Sequence, residues 1–286
     1  MEIITEPRAM QTWADAERWA DRCIALVPTM GALHEGHLEL IRVARTRADR
    51  VVVSIFVNPI QFNRRDDFER YPRTLDADAG LCASAGVDVI YAPAAGAMYP
   101  EGFASGVEVA GISEPLCGRT RPGHFRGVTT VVTKLFNAVR PHCAAFGEKD
   151  WQQLTVIRRM AADLDTGIEI VGVPTVREAD GLALSSRNRL LGAEARQAAR
   201  CVPRALDAAA AAVAAGETAA RSVADRAAAV IADEPQARLE YAEVRDPDSL
   251  TALEEVTGPA LLALAVWVGG VRLIDNRILN PGGTNR

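Results

Sequence analysis

Up to about residue 180, short apolar runs alternate with stretches whose apolar positions recur at helical spacing. The run CIALVPT (23–29) is β-branched in character and predicts a strand. A loop holding two glycines follows, and then LELIRVARTRA (38–48), where Leu38, Ile41 and Ala44 share one helical face. RVVVSIFVN (50–58) is apolar almost throughout, as a strand covered on both faces requires, and Pro59 ends it. VDVIYAP (87–93), CAAFG (143–147) and GIEIVGVPTV (167–176) predict further strands, while 127–141 and 151–164 predict helices. Strands alternating with helices imply a mostly parallel sheet with right-handed crossovers. The fold class expected is therefore α/β, a doubly wound parallel sheet.

The pattern changes near residue 180. ADGLALSSRNRL (179–190) is a polar loop with a turn signal. Alanine-rich stretches follow, and charged and apolar residues at intervals in them predict folded helices. The runs 238–246 and 260–278 predict strands of a second, smaller α+β domain, with ALLALAVWVGGV (260–271) forming a buried strand or two. The expected division is 1–176 and 177–286, with the polar loop at the junction and the second domain closing as a lid.

Length and composition fit one large or two unequal globular domains. A formal charge of −5 argues against nucleic acid as a partner. No run reaches the ~20 apolar residues of a membrane span, and no basic start followed by an apolar stretch signals secretion. Five widely spaced cysteines without a CxxC pair read as reduced, buried thiols, which implies a cytoplasmic location.

The candidate chemistry begins at PTMGALHEGHLEL (28–40), which holds two of the four histidines, His34 and His37. Gly31 and Gly36 have P-loop spacing, but His37 and Leu38 stand where Lys and Ser/Thr belong. H-E-G-H is not the zincin spacing, and no third ligand is flagged. Two readings remain. Both histidines cap and pack, or they sit at a strand-to-helix turn as imidazole donors to phosphate, with Gly36 giving close approach.

H-x-G-H after a first strand, with LALSSRN (182–188) after the sheet, is similar to the H-x-G-H nucleotidyltransferase superfamily. The strings VPTMGALHEGHLELI, SIFVNPIQF, FGEKDWQQL and VPTVREADGLALSSRNR, in that order, resemble the pantoate–β-alanine ligase family from about residue 20 to the end. Leu184 stands where that family usually has methionine, and Ile60 where methionine or threonine is common. Leucine for methionine conserves volume and polarity.

The resemblance implies a Rossmann-like first domain binding nucleotide and pantoate. It implies ATP-dependent condensation of pantoate with β-alanine through a pantoyl-adenylate, releasing pyrophosphate and AMP, with Mg²⁺ on the ATP phosphates. It implies ATP contacts at Met30, Gly31, Ala32, Leu33, His34, Glu35, Gly36, His37, Gly147, Glu148, Lys149, Asp150, Val176, Leu184, Ser185, Ser186 and Arg187. His37, His34 and Lys149 would be the catalytic members, and Gln61 and Gln153 the substrate contacts. A homodimer is implied in the same way.

Each residue also has a plainer role. Asp150 and Gln153 have capping-box spacing for the helix from Trp151. Lys149 at a helix N-terminus is unfavourable unless it meets an anion. Gln61 is an ordinary loop residue by base rate, and LSSR an ordinary turn with a solvated arginine. Arg121 and His124, in the basic loop 118–127, are weaker candidates for the substrate side. A transferase acting on a phosphate ester would share H-x-G-H without needing Gln61 and Gln153, and an inactive nucleotide sensor would have lost Lys149 or the SSR stretch.

Overall fold

The computed structural model describes residues 1–63 and 65–282. The chain divides into two compact units: Met1–Glu148 with Val156–Pro174, and Lys149–Thr155 with the chain from Thr175 on. No helix among the described residues is long and apolar enough to cross a membrane.

The first unit is built on six parallel strands: β1 (Glu2–Ile4), β2 (Ile24–Thr29), β3 (Arg50–Ile55), β4 (Val89–Tyr91), β5 (Cys143–Gly147) and β6 (Glu169–Val173). Their spatial order is β1-β4-β3-β2-β5-β6. From β2 the chain steps to β3 and β4, then returns to place β5 on the other side of β2. The direction of winding therefore reverses between β2 and β5, and ligands of open α/β sheets bind outside the carboxyl ends at such a point.

Ile24–Val27 and Val51–Val53 are buried because both faces are covered. Leu40, Ile41 and Ala44 of helix Glu35–Arg45 pack on Ala25, Val27, Val51 and Val53. Helices Pro7–Trp19 and His124–Val139 also contact β2. Pleat alternation gives them the face of Ile24 and Leu26.

Several bounds differ from the sequence expectation. The first-loop helix begins at Glu35 rather than 38, because His34 caps it. The strand expected over 50–58 ends at Ile55, since Asn58 turns into a side-chain network and Pro59 opens a 3₁₀ turn, Pro59–Gln61. The helix expected over 127–141 starts at His124. Strand β1 and helices Pro7–Trp19 and Leu75–Ser84 were outside the sequence expectation altogether.

The second unit has an antiparallel sheet, β7 (Ala237–Arg245), β8 (Ala260–Val268) and β9 (Val271–Leu279), in that order. The apolar run 260–271 is thus β8, the Gly269–Gly270 turn and the start of β9. Helices Cys201–Ala214 and Ala220–Ala232 bury Val202, Leu206, Ala209, Val223, Ala227 and Ile231 in one cluster with Leu262, Leu264 and Val266. Alanine at the contact lets helix and sheet approach closely, so the low-complexity stretch is core.

Candidate active site

The turn after β2 leaves the sheet at the reversal point. His34 is extended (φ −146°, ψ 176°) and is the N-cap of helix Glu35–Arg45. Its Nδ1 accepts the Gly36 N–H at 3.2 Å, and Nδ1 of His37 accepts the His34 N–H at 3.3 Å. The two rings lie 4.1 Å apart between centroids. An Nδ1 that accepts carries no proton, so each neutral ring holds its proton on Nε2. Capping therefore uses one nitrogen of each ring and makes the other an N–H donor. The capping and phosphate-donor readings fall on different nitrogens and do not compete.

The backbone of this turn is largely committed within the chain. Gly31 N–H donates to Thr29 Oγ1 at 3.2 Å, and the Ala32 and Leu33 N–H groups donate to Asp78 at 3.0 and 2.8 Å. The imidazoles, rather than those amides, are what the turn offers an anion. Met30, half-buried, precedes it, and Glu35 is exposed and pairs with Arg42. Among the described residues no group of three His, Cys, Asp or Glu side chains is placed to hold a metal.

Gln61, at the end of the 3₁₀ turn after β3, is buried in a network that fixes which way its amide points. Asn58 Nδ2 donates to the Gly127 carbonyl at 3.1 Å and to Gln61 Oε1 at 2.8 Å, while Asn58 Oδ1 accepts from the Tyr99 hydroxyl at 2.7 Å. Burial pushes the Tyr99 hydroxyl well above its ordinary range, so it stays a donor. Gln61 Nε2 is then its donor end and reaches Met30 Sδ at 3.4 Å, a weak acceptor.

Arg121 and His124 both hold the Gln61 carbonyl, at 3.3 and 2.9 Å, and meet each other at 3.1 Å. Those two candidates thus position the Gln61 backbone. Gly127 is required beside it, since a Cβ there would lie 2.6 Å from the Ile60 carbonyl and 2.7 Å from Gln61 Cα. Asn58 and Tyr99 were missed by sequence reasoning; the i, i+3 pairing of Asn58 with Gln61 around Pro59 was the available signal.

At the end of β5, adjacent to β2, Gly147 leads into a 3₁₀ turn, Glu148–Asp150, that runs directly into helix Trp151–Asp163. Helical conformation thus starts before Asp150, whereas an N-cap is extended, and this replaces the capping-box reading of Asp150. In the second unit, the Lys149 carbonyl accepts from Asn276 Nδ2 at 2.9 Å, and Trp151 Nε1 donates to the Pro247 carbonyl at 2.8 Å. Lys149 and Gln153 are half-buried on this anchored segment, and Asp150 is exposed.

Val176 and Leu184 face each other across a short hairpin, Leu184 N–H donating to the Val176 carbonyl at 2.9 Å, with Arg177 bridged to Ala183. Ser185 is extended, and its Oγ accepts the Arg187 N–H at 3.3 Å as a 3₁₀ turn, Ser186–Leu190, begins.

Three braces hold this hairpin. Asn188 donates to Glu178 at 2.8 Å and to the Ala183 carbonyl at 3.1 Å. Arg196 spans Glu178 and Asp180, each at 2.7 Å. Arg177 makes two bonds to buried Asp275, at 2.7 and 3.0 Å, and donates to the Gly181 carbonyl at 3.0 Å. Arg177 and Asp275 stand on opposite sides of the second unit's sequence, and no spacing rule links them.

The Arg196 brace has a pH signature. Its hydrogen bonds are the main cause holding the Asp180 carboxyl below its ordinary value of 3.8. A depressed folded value means the contribution is present above the unfolded value and is lost as pH falls through the folded one. Acidification from about pH 5 to about pH 3 should therefore lower wild-type thermal stability more than that of Arg196→Gln. Paired melting curves at the two pH values check this.

The chain matches the family described as Pantoate-beta-alanine ligase over residues 2–278. It is 53% identical over 279 residues to pantothenate synthetase of Moorella thermoacetica, covering 98% of this chain and 99% of that one. With the Citrifermentans bemidjiense pantothenate synthetase the identity is 54%, at 98% and 99% coverage. The crystal structure of pantothenate synthetase from Thermus thermophilus superposes with a TM-score of 0.91 at 42% identity, over 96% of this chain and 98% of that one. Pantoate-beta-alanine ligase from Francisella tularensis, complexed with beta-gamma ATP and beta-alanine, superposes with a TM-score of 0.80 at 33% identity, over 97% of each. With the parallel sheet and the ordered motifs these matches agree: the chain belongs to the pantoate–β-alanine ligase family.

Proposed function

We propose that this chain joins pantoate to β-alanine with the first-unit turn acting on the ATP phosphates through the Nε2–H groups of His34 and His37. The observation that carries this reading is that Nδ1 of each ring faces a backbone N–H at the sheet's reversal point, which assigns the ring proton to Nε2. In the first step a pantoate carboxylate oxygen attacks the α-phosphorus. The new O–P bond forms as the bond to the β-phosphate oxygen breaks, and pyrophosphate leaves. The carboxylate is already ionised at neutral pH, so the step needs positioning and charge stabilisation and no protein nucleophile.

Lys149, Ser185, Ser186 and Arg187 are assigned to the phosphates by charge and hydroxyl content, with Gly147, Glu148 and Asp150 beside Lys149. Val176 and Leu184, paired across their hairpin, are assigned to the nucleoside. Met30 through Leu33 and Glu35 through Gly36 shape the histidine turn. Mg²⁺, which the family resemblance implies, would come with ATP and would supply charge neutralisation at the phosphates beside Lys149, Ser185, Ser186 and Arg187.

Gln61 and Gln153 are assigned to pantoate. Gln61 presents N–H to its carboxylate or hydroxyl oxygens, consistent with the Asn58 bond that holds Oε1. In the second step the neutral β-alanine amine attacks the adenylate carbonyl, a C–N bond forms, the C–O bond to AMP breaks, and AMP leaves. The one ring lone pair of each histidine, on Nδ1, already accepts a backbone N–H, so the amine proton is assigned to the departing phosphate oxygen. The cysteines form no disulfide, with Cys23 exposed rather than buried, which suits the reducing cytoplasm, and the family resemblance supports a homodimer.

Calorimetric ATP titration together with pantoate kinetics tests these assignments. His34→Ala and Lys149→Ala should each weaken Mg²⁺–ATP binding by about 10- to 100-fold. Gln61→Ala should leave ATP binding unchanged and raise the KM for pantoate. Unchanged ATP affinity in the first two variants, or weakened ATP affinity in the third, contradicts the assignments.

A further inference from the structure

Asp78 lies on helix Leu75–Ser84, outside every motif, and is only 2% exposed. Burying an ionised carboxylate is costly unless donors satisfy it. Here three do: the N–H groups of Ala32 and Leu33 at 3.0 and 2.8 Å, and the Thr74 hydroxyl at 3.1 Å. Successive N–H groups converging on one anion form an anion-binding nest, and the chain fills this one with its own side chain.

Its residues need holding. Gly31 and Ala32 have φ of +81° and +52°, and the left-handed region costs a non-glycine residue about 1 kcal/mol. The side-chain oxygen nearest Gly31 is 3.1 Å from where a Cβ would lie, so the carboxylate packs against the turn as well as bonding to it. Leu33 directly precedes His34, the N-cap whose own N–H fixes the His37 ring.

The geometry points to Asp78 as a positioning residue for the adenylation step, an internal anion that locks the histidine turn in register. This rests on the assignment of His34 and His37 to the ATP phosphates. Without the carboxylate, Ala32 relaxes from its left-handed conformation and carries the His34–His37 pair with it. A displacement near 1 Å at reacting groups costs on the order of 100-fold in rate. The amine step, which uses neither ring as a base, is spared.

The test measures the two half-reactions separately in Asp78→Asn, which keeps the shape and loses the charge. Pyrophosphate release from ATP and pantoate in single turnover should fall about 100-fold. β-Alanine aminolysis of supplied pantoyl-adenylate should stay within about threefold of wild type, far inside that loss. Equal losses in both steps would mean a merely structural role and overturn the inference, as would wild-type pyrophosphate release. Should Asp78→Asn fail to fold, Thr74→Val removes one donor only, and the same step-selective loss, about fivefold, is expected. Its absence overturns the inference. His37→Ala run alongside separates the two ideas: normal pyrophosphate release there removes the histidine assignment, while the Asp78 result is read on its own ratio.

Discussion

His37→Ala is expected to slow turnover by about 100- to 1000-fold, the range for losing one preorganised donor to a developing negative charge. The donor is preorganised because its other nitrogen is engaged: Nδ1 accepts the His34 N–H, which fixes ring orientation and proton position together. Truncation also removes one partner of the reciprocal cap. That costs about 1 kcal/mol of stability, small beside the kinetic effect. Steady-state AMP formation with far-UV circular dichroism separates the two consequences: a collapsed rate in a protein of native helix content.

The second large effect is on stability. Asp275 in β9 is buried and carries two bonds from Arg177, and the adjacent Asn276 N–H donates to it at 2.8 Å. Burial works against the Arg177 charge, but the hydrogen bonds to Asp275 and its charge outweigh this and hold the guanidinium above its ordinary value. Asp275→Ala leaves that charge without its partner and should destabilise the second unit by about 3–5 kcal/mol. Replacing both partners with apolar residues of similar volume should cost far less. Urea unfolding of the single and double variants measures the difference. Because Arg177 also bonds to Gly181, the single variant should additionally loosen the hairpin that carries Leu184 and Ser185.

Strands β2, β3 and β5 were legible because central parallel strands bury both faces and leave unbroken apolar runs. Strand β1 has three residues, of which only Ile4 is buried, too little for a pattern. Helix Leu75–Ser84 escaped because its buried residues are Asp78 and Cys82, and a carboxylate in the core looks like a surface residue in sequence. The same physics hid Asn58, Arg177, Arg196 and Asp275. Each acts through a partner distant in sequence or through the backbone, and no spacing rule encodes such a pair. The histidines were visible at once. From sequence, capping and phosphate binding stood as rival readings, because spacing does not encode which ring nitrogen meets the backbone.

The role proposed for the His34–His37 turn is to serve phosphoryl chemistry as a donor pair while leaving the amine step alone. Rapid-quench analysis of His37→Ala tests it directly, following pyrophosphate release from ATP and pantoate, and separately β-alanine aminolysis of supplied pantoyl-adenylate. Loss of the first with the second near wild type is the expected result. Normal pyrophosphate release, or aminolysis impaired as severely as adenylation, would contradict it.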